Sequence, residues 1–391
     1  MDYKKLDWHM EIAQQIYKDE SGWTQIKSTP GFSSASCDLV LAFGSKAKLG
    51  AKKALKELSE QYPNAQVISC STAGEISGIS VINETIVATA ISFDKTKIKP
   101  ALVNYEDVAN SEEAGITIAK KLQDESLKHV LIISDGQMVN GSELVKGTNS
   151  VLPTKIPVTG GLAGDGTDFE GTLVGLNEDI KQGNIVGIGF YGNELKIGFG
   201  SHGGWDEFGP HRKVTKSKGN ILYEVDDQNA LELYKKYLGP KAEELPGSAL
   251  LFPLSMRVTD DSPTLVRTIL SVDEKEQSMT FAGDIPEGAT VRFMKSNFDR
   301  LIDGASKAAS DGYYFNEQPV NPELVLLISC VGRKVVLDQR IEEEIEAVEE
   351  IFGNETFYCG FYSYGELAPS SVGTTCDLHN QTMTLTTYSE K

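Results

Sequence analysis

The sequence predicts a mixed α/β (α+β) fold of repeated βαβ units combined with antiparallel hairpins, arranged as two domains around a central cleft. Three observations carry that prediction. Continuous apolar runs of strand length recur with helical stretches between them, stretches of alternating hydrophobicity lie between these units, and each unit closes in a glycine followed by an acid. With 391 residues, 40% of them hydrophobic, the chain can bury a full core in two or three compact units.

The first unit opens with DLVLAFGS from Asp38, a buried-strand pattern. AKLGAKKALKELSEQY follows and places Ala51, Leu55, Leu58 and Tyr62 on one helical face, and AQVISCSTAGEI closes the unit. The second runs from HVLIISDGQ through the helical GSELVKGTNSVL to IPVTGGLAGDG. The third runs from ELVLLISCVGR through DQRIEEEIEAVEEIFG to TFYCGFYSYGEL. In the third unit's helix Ile341, Ile345, Val348 and Phe352 form the inner face, so its glutamates read as a solvated outer surface. Between the units, TIVATAISF with KIKPALVNY, NIVGIGFYGNELKIGFGSHGGW, and LVRTILSVDEKEQSMTFAGDIPEGATVRFM read as antiparallel hairpins. The closing breaks are Gly74-Glu75, Gly164-Asp165 and Gly365-Glu366. Their recurrence at one topological place points to a ligand site, because open α/β sheets bind ligands beyond the carboxyl ends of their strands.

Composition excludes several function classes. A formal net charge of −19 with no basic patch argues against nucleic acid and anionic membrane surfaces as partners. No apolar run approaches the roughly 20 residues of a membrane span, and the first residues lead into no signal-peptide core, so a cytoplasmic protein is expected. The five scattered cysteines, Cys37, Cys70, Cys330, Cys359 and Cys376, fit reduced, mostly buried thiols.

Other motifs are weaker. Gly187, Gly189 and Gly192, and again Gly198, Gly200 and Gly203, imitate a dinucleotide fingerprint but lead into no helix, so they read as hairpin geometry. Cys70 lies at a strand-to-loop junction where a nucleophile can sit, with a packed core thiol as the blander reading. His202 and His211 are possible haem or metal ligands, or simply loop hydrogen-bond partners. The spacing of Cys376 and His379 has no matching second pair, so zinc is not expected.

The motifs CSTAGEISG, VTGGLAGDG, SCVGR, FYSYGELAP and LHNQT, in that order, resemble the paired N- and C-terminal FIST domains of signalling proteins. The resemblance implies an arm, helical or extended, over 1–36, an N-terminal domain over 37–220 and a C-terminal domain over 221–391. It implies a sensory, ligand-binding role, with amino acids as proposed ligands and haem-bound nitric oxide sensors as a subset. It also implies a downstream partner such as a kinase or chemotaxis component. Carried over by position, the pattern falls on Cys70, Ser71, Thr72, Gly74 and Glu75, then on Gly161, Ala163, Gly164 and Asp165. In the C-terminal half it falls on Arg267, Cys330, Arg333, Tyr364, Gly365, Glu366 and Asn380. The segment SHGGWDEFGPHRKVT, which holds His202, is richer in histidine than the family pattern and leaves a haem ligand open in either direction.

An amino acid is a zwitterion, so its pocket needs an acid for the ammonium and a donor cluster for the carboxylate. Glu75, Asp165 and Glu366 suit the first need, and Arg267 or Arg333 with glycine-freed backbone amides suit the second. The structural alternative is that Glu75 and Glu366 cap backbone amides and the two arginines pair with them to lock the repeats. A haem-binding sensor and a hydrolase using Cys70 remain as other functions.

Overall fold

The computed structural model describes residues 9–245, 247–315, 318–319 and 321–390. Three units of one plan make up most of it. In unit I the opening strand Leu39–Gly44 and the closing strand Gln66–Ser71 run parallel, with Gly44 opposite Ser71, and the helices Lys46–Gly50 and Lys53–Gln61 cross between them. A return strand, Ile86–Ser92, lies antiparallel beside the opening strand, and a flanking strand, Glu11–Lys18, lies beyond it. Gly22–Ser28 extends this sheet by a further strand, so the described part of the expected N-terminal arm is a hairpin.

Unit II repeats the plan with opening strand Leu127–Ser134, helix Gly141–Asn149, closing strand Val158–Leu162, return strand Asn184–Tyr191 and flanking strand Lys97–Asn104. Unit III repeats it with Leu324–Cys330, helices Val331–Leu337 and Glu343–Phe352, then Phe357–Ser363, Met383–Glu390 and Leu195–His202.

After each closing strand the chain leaves its own sheet. Glu75–Ser77 of unit I pairs with the closing strand of unit III, Val174–Leu176 of unit II with that of unit I, and Gly365–Pro369 of unit III with that of unit II. The exchange is cyclic and ties the units together at the carboxyl ends of their strands. Inside, Leu41 and Phe43, Leu131 and Ile133, and Leu326 and Ile328 bring the three opening strands into one buried cluster. A separate eight-stranded sheet, curled around its own core of Leu231, Tyr234, Phe281 and Phe293, occupies the chain between Asp206 and Lys295.

The fold class agrees with the sequence reading, but several elements differ. Two of the three expected hairpins are crossings between sheets. Ile86–Ser92 and Lys97–Asn104 belong to units I and II, and Asn184–Tyr191 and Leu195–His202 to units II and III. Alternation reports which face of a strand is buried but not which strand it pairs with. Only Ile269–Asp273 with Ser278–Phe281 is a true hairpin among the three.

Of the second glycine set, Gly198 and Gly200 serve helix packing instead of turns. A Cβ at Gly198 would lie 2.1 Å from the carbonyl oxygen of Gly312, and one at Gly200 2.0 Å from that of Ala308, both on the helix Phe298–Tyr313. The helix expected over 47–62 breaks at Lys52, whose φ is 59°, so Ala51 is exposed while Leu55, Leu58 and Tyr62 are buried. The acidic helix does bury Ile345, Val348 and Phe352, but Glu344 lies inside with them, paired with Arg333.

Candidate functional site

The three closing loops meet and bond to one another through their backbones. The Ala73 amide donates to the Tyr362 carbonyl at 2.8 Å and the Tyr362 amide to the Gly74 carbonyl at 2.9 Å. The Gly164 amide donates to the Ser71 carbonyl at 2.9 Å and the Tyr364 amide to the Leu162 carbonyl at 3.1 Å. A Cβ at Gly164 would stand 3.0 Å from the Ala73 nitrogen, so the close approach of loops I and II favours glycine there.

The acids divide into two kinds. Glu75 Oε1 accepts from the Thr72 hydroxyl at 2.7 Å, and Oε2 accepts from the Thr85 hydroxyl at 2.8 Å and its amide at 3.3 Å. Glu366 repeats this: Oε1 accepts from Ser363 at 2.7 Å, and Oε2 from the Thr382 hydroxyl at 2.9 Å and amide at 3.2 Å. Burial raises both carboxyls above the ordinary range, and Glu366, enclosed on all sides, is pushed up to about 8.

Asp165 differs in register, standing three residues past the inner end of its closing strand at Leu162, where Glu75 stands four past Ser71. Its carboxylate accepts from the amides of Phe169, Glu170 and Gly171 at 3.0 Å each and from the Tyr364 hydroxyl. Burial opposes its charge, but Tyr364 and the Gly171 and Glu170 amides outweigh burial and hold it below the usual carboxylate range.

Loops I and II form one wall of a cleft of about 860 Å³, and the helix Val331–Leu337 of unit III forms another. Thr72, Gly74, Glu75 and Asp165 line it together with Lys46, Asn83, Glu84, Asp168 and Lys334. Lys46 Nζ lies 3.4 Å from Asp165. Lys334 reaches across from unit III to donate to the Ala73 carbonyl and to the Asn83 side chain, and its burial lowers its pKa. The cleft therefore has both ammonium groups and carboxylates in its lining, and its volume suits a small metabolite.

The other sequence-predicted residues are distributed around this site. Cys70, Ser71, Gly161 and Ala163 are buried in the closing strands or just past them, and Ser71 accepts from the Leu173 amide at 2.9 Å. Gly365 opens the exchanged strand of unit III. Tyr364 bonds Asp165 and stacks on Phe169, with ring centroids 4.8 Å apart.

Arg333 is fully buried. It makes a forked pair with Glu344, at 2.9 and 2.7 Å, and donates to the carbonyls of Leu301 and Gly203, which leaves its guanidinium engaged on every side. Arg267 is buried too and donates to the carbonyls of Leu378 at 2.9 Å, Asp284 at 3.1 Å and Val266 at 3.2 Å. Neither arginine lines the cleft, and neither pairs with Glu75 or Glu366 through a hydrogen bond. Cys330 and Asn380 are buried beside the Glu366 constellation, where the Asn380 amide finds no partner among the described residues.

Lys46, Asn83, Glu84, Asp168 and Lys334 are cleft residues that sequence reasoning missed. A signal existed: Asn83-Glu84-Thr85 repeats as Asn380-Gln381-Thr382, ahead of the return strands of units I and III, with positive φ at both central residues.

Two of the alternative chemistries fit poorly. Cys70 is sealed from solvent, and burial, with the charge of Glu75, pushes its thiol well up, which is the setting of a packed core thiol and not of an activated one. His202 Nε2 is held by Asp311 at 2.6 Å on the outer side of unit III, and His211 is exposed on a strand of the curled sheet. The cleft contains no histidine, so its residues do not fit an axial haem ligand. No group of metal-ligating side chains occurs among the described residues, nor does any helix there have the length and apolarity to cross a membrane.

The profile of the FIST N domain matches residues 38–228, and that of the FIST C domain matches residues 230–369. An uncharacterized protein of Methanocaldococcus jannaschii is 25% identical over 357 residues, covering 81% of this chain and 66% of that relative, so the chain spans just under two thirds of its length.

Proposed function

The chain belongs to the FIST family, with N and C domains in tandem, and on the premise that FIST domains are associated with sensory signal transduction we propose that it is a small-ligand receptor. Its ligand, on this reading, is an amino acid or similar zwitterion, bound in the cleft between loops I and II and the helix Val331–Leu337. The observation that carries the reading is that Lys46 and Lys334 line one cavity of about 860 Å³ together with Glu84, Asp165 and Asp168. The lysines answer a carboxylate and the acids an ammonium. Charge-assisted hydrogen bonds of roughly 1.5–3 kcal/mol each make three or four of them sufficient for micromolar affinity in a preformed pocket. Glu75 and the amides of loop I support that pocket from behind.

The reading places the receptor in the cytoplasm, a reducing compartment that suits five buried, unbridged cysteines. A kinase or chemotaxis protein is the partner that such a receptor would inform.

The test is calorimetry of the full chain against the amino acids, with Lys334→Met and Asp165→Asn as variants. Binding of one or a few amino acids that weakens at least tenfold in Lys334→Met supports the reading. Absence of binding by every amino acid at millimolar concentration, or binding indifferent to both variants, sinks it.

A further inference from the structure

Unit II has a corner equivalent to the one that forms the cleft of unit I, and it too is hollow. In unit I the cavity lies beyond the inner ends of the opening and closing strands, against Ser45–Lys48 and Thr72–Glu75. In unit II a cavity of about 460 Å³ lies in the same place, against Gly136–Asn140 and Leu162, and the curled sheet closes its far side with Leu270, Ser271 and Thr280–Ala282.

The chemistry of the two cavities is opposite. The first is lined by lysines and acids. The second has no charged side chain in its lining at all, in a chain that is 24% charged. Its walls combine the stacked rings of Phe169 and Tyr364, interplanar angle 20°, with Met138, while Phe281, whose ring is buried in the core of the curled sheet, backs the lining. Among the described residues, the side-chain groups of Gln137, Ser271 and Thr280 make no hydrogen bond within the protein, and Asn220 uses only its NH₂, which donates to the Phe281 carbonyl at 2.7 Å. Flat aromatic walls with a few neutral donors and acceptors recognise a ring by stacking and its polar edge by hydrogen bonds, and they reject a charge, which would be desolvated without a counter-ion.

We propose that this second cavity binds an uncharged planar heterocycle with both hydrogen-bond donor and acceptor groups, independently of the zwitterion cleft. The two sites share a wall. Asp165 and Glu170 line the first cavity, Phe169 lines the second, and the carboxylate of Asp165 gathers the amides of Phe169, Glu170 and Gly171.

The experiment is saturation-transfer NMR on the full chain, with nicotinamide and uracil as neutral probes and nicotinate and orotate as their charged counterparts. The expected result is transfer to at least one neutral probe and a signal at least fivefold weaker for its charged counterpart. Ala282→Leu, which fills the cavity, should abolish the transfer, and Gln137→Ala, an exposed change that leaves the fold alone, should weaken it. Lys334→Met should leave it intact, which separates this site from the zwitterion cleft. No transfer to either neutral probe at millimolar concentration, equal transfer to the charged pair, or transfer that survives Ala282→Leu would overturn the assignment.

Discussion

Thr85 and Thr382 are the same residue of a repeated motif. Each directly precedes the first residue of its return strand, with Ile86 opposite Gly44 in unit I and Met383 opposite Ser329 in unit III, and each gives both its amide and its hydroxyl to a buried glutamate. The residues before them, Glu84 and Gln381, have φ of 54° and 61°. One copy opens onto the charged cleft and the other is sealed, so a single scaffold supports an open corner and a closed one.

The sealed copy should impose a pH dependence on stability. Burial raises the Glu366 carboxyl from its ordinary 4.5 to about 8, so between those values the folded state holds a proton that the unfolded chain releases. Stability from this group is therefore full below about pH 4.5, falls as pH rises through 8, and is level above. Urea midpoints measured from pH 5 to 9 should decline more steeply for the native protein than for Glu366→Gln. A constant difference between the two across that window would mean that the carboxyl is not held protonated.

The pair of Arg333 and Glu344 should behave as a buried unit. Arg333→Met strands a carboxylate that is fully enclosed, and the expected cost is about 3–5 kcal/mol. Combining it with Glu344→Gln should recover much of that loss, because the uncompensated charge disappears with the second change. Chemical denaturation of the single and double variants checks this, and a cost below about 1 kcal/mol for Arg333→Met would mean that solvent reaches the site.

The cysteines should be chemically silent while the protein is folded. All five are buried, and burial raises the pKa of each thiol, most strongly at Cys70 and Cys376. Mass spectrometry after iodoacetamide at pH 8 should show no adduct on the native chain and five on the denatured one. Rapid native labelling of Cys70 would reopen the hydrolase reading.

The units themselves were legible in the sequence because their opening strands, such as Leu324–Cys330, are apolar on both faces and read as unbroken runs. The convergence of the closing loops was legible too, from the glycine and acid at the end of each. What the sequence concealed was pairing. The exchange of Glu75–Ser77, Val174–Leu176 and Gly365–Pro369 among units involves strands of three to five residues, too short to show a period. Glu344 was misread because an acid on the inner face of an acidic helix looks like its neighbours until Arg333, on the preceding helix, is seen to reach it. Lys334 was missed for a related reason: it serves the cleft of one unit from the helix of another.

Tyr364→Phe should test how the loops act on each other. The phenol oxygen bonds the Asp165 carboxylate, accepts from its amide at 3.2 Å and lies 3.2 Å from the Gly166 carbonyl, while the ring stacks on Phe169. Removing the hydroxyl keeps the stack and takes away one of the groups that hold the Asp165 pKa down against burial, so that pKa should rise. A carboxylate with a depressed folded pKa contributes stability above its unfolded value, here 3.8, and loses it as pH falls through the folded one. The variant should therefore be less stable than the native protein by roughly 1.5–3 kcal/mol near pH 7, the range of a hydrogen bond to a charged group, and the gap should narrow below about pH 4. Because the loop from Asp165 to Gly171 borders both cavities, ligand affinity in each should weaken together. A stability gap of equal size at pH 3.5 and pH 7 would show that the hydroxyl contributes through packing alone, with no hold on the carboxylate.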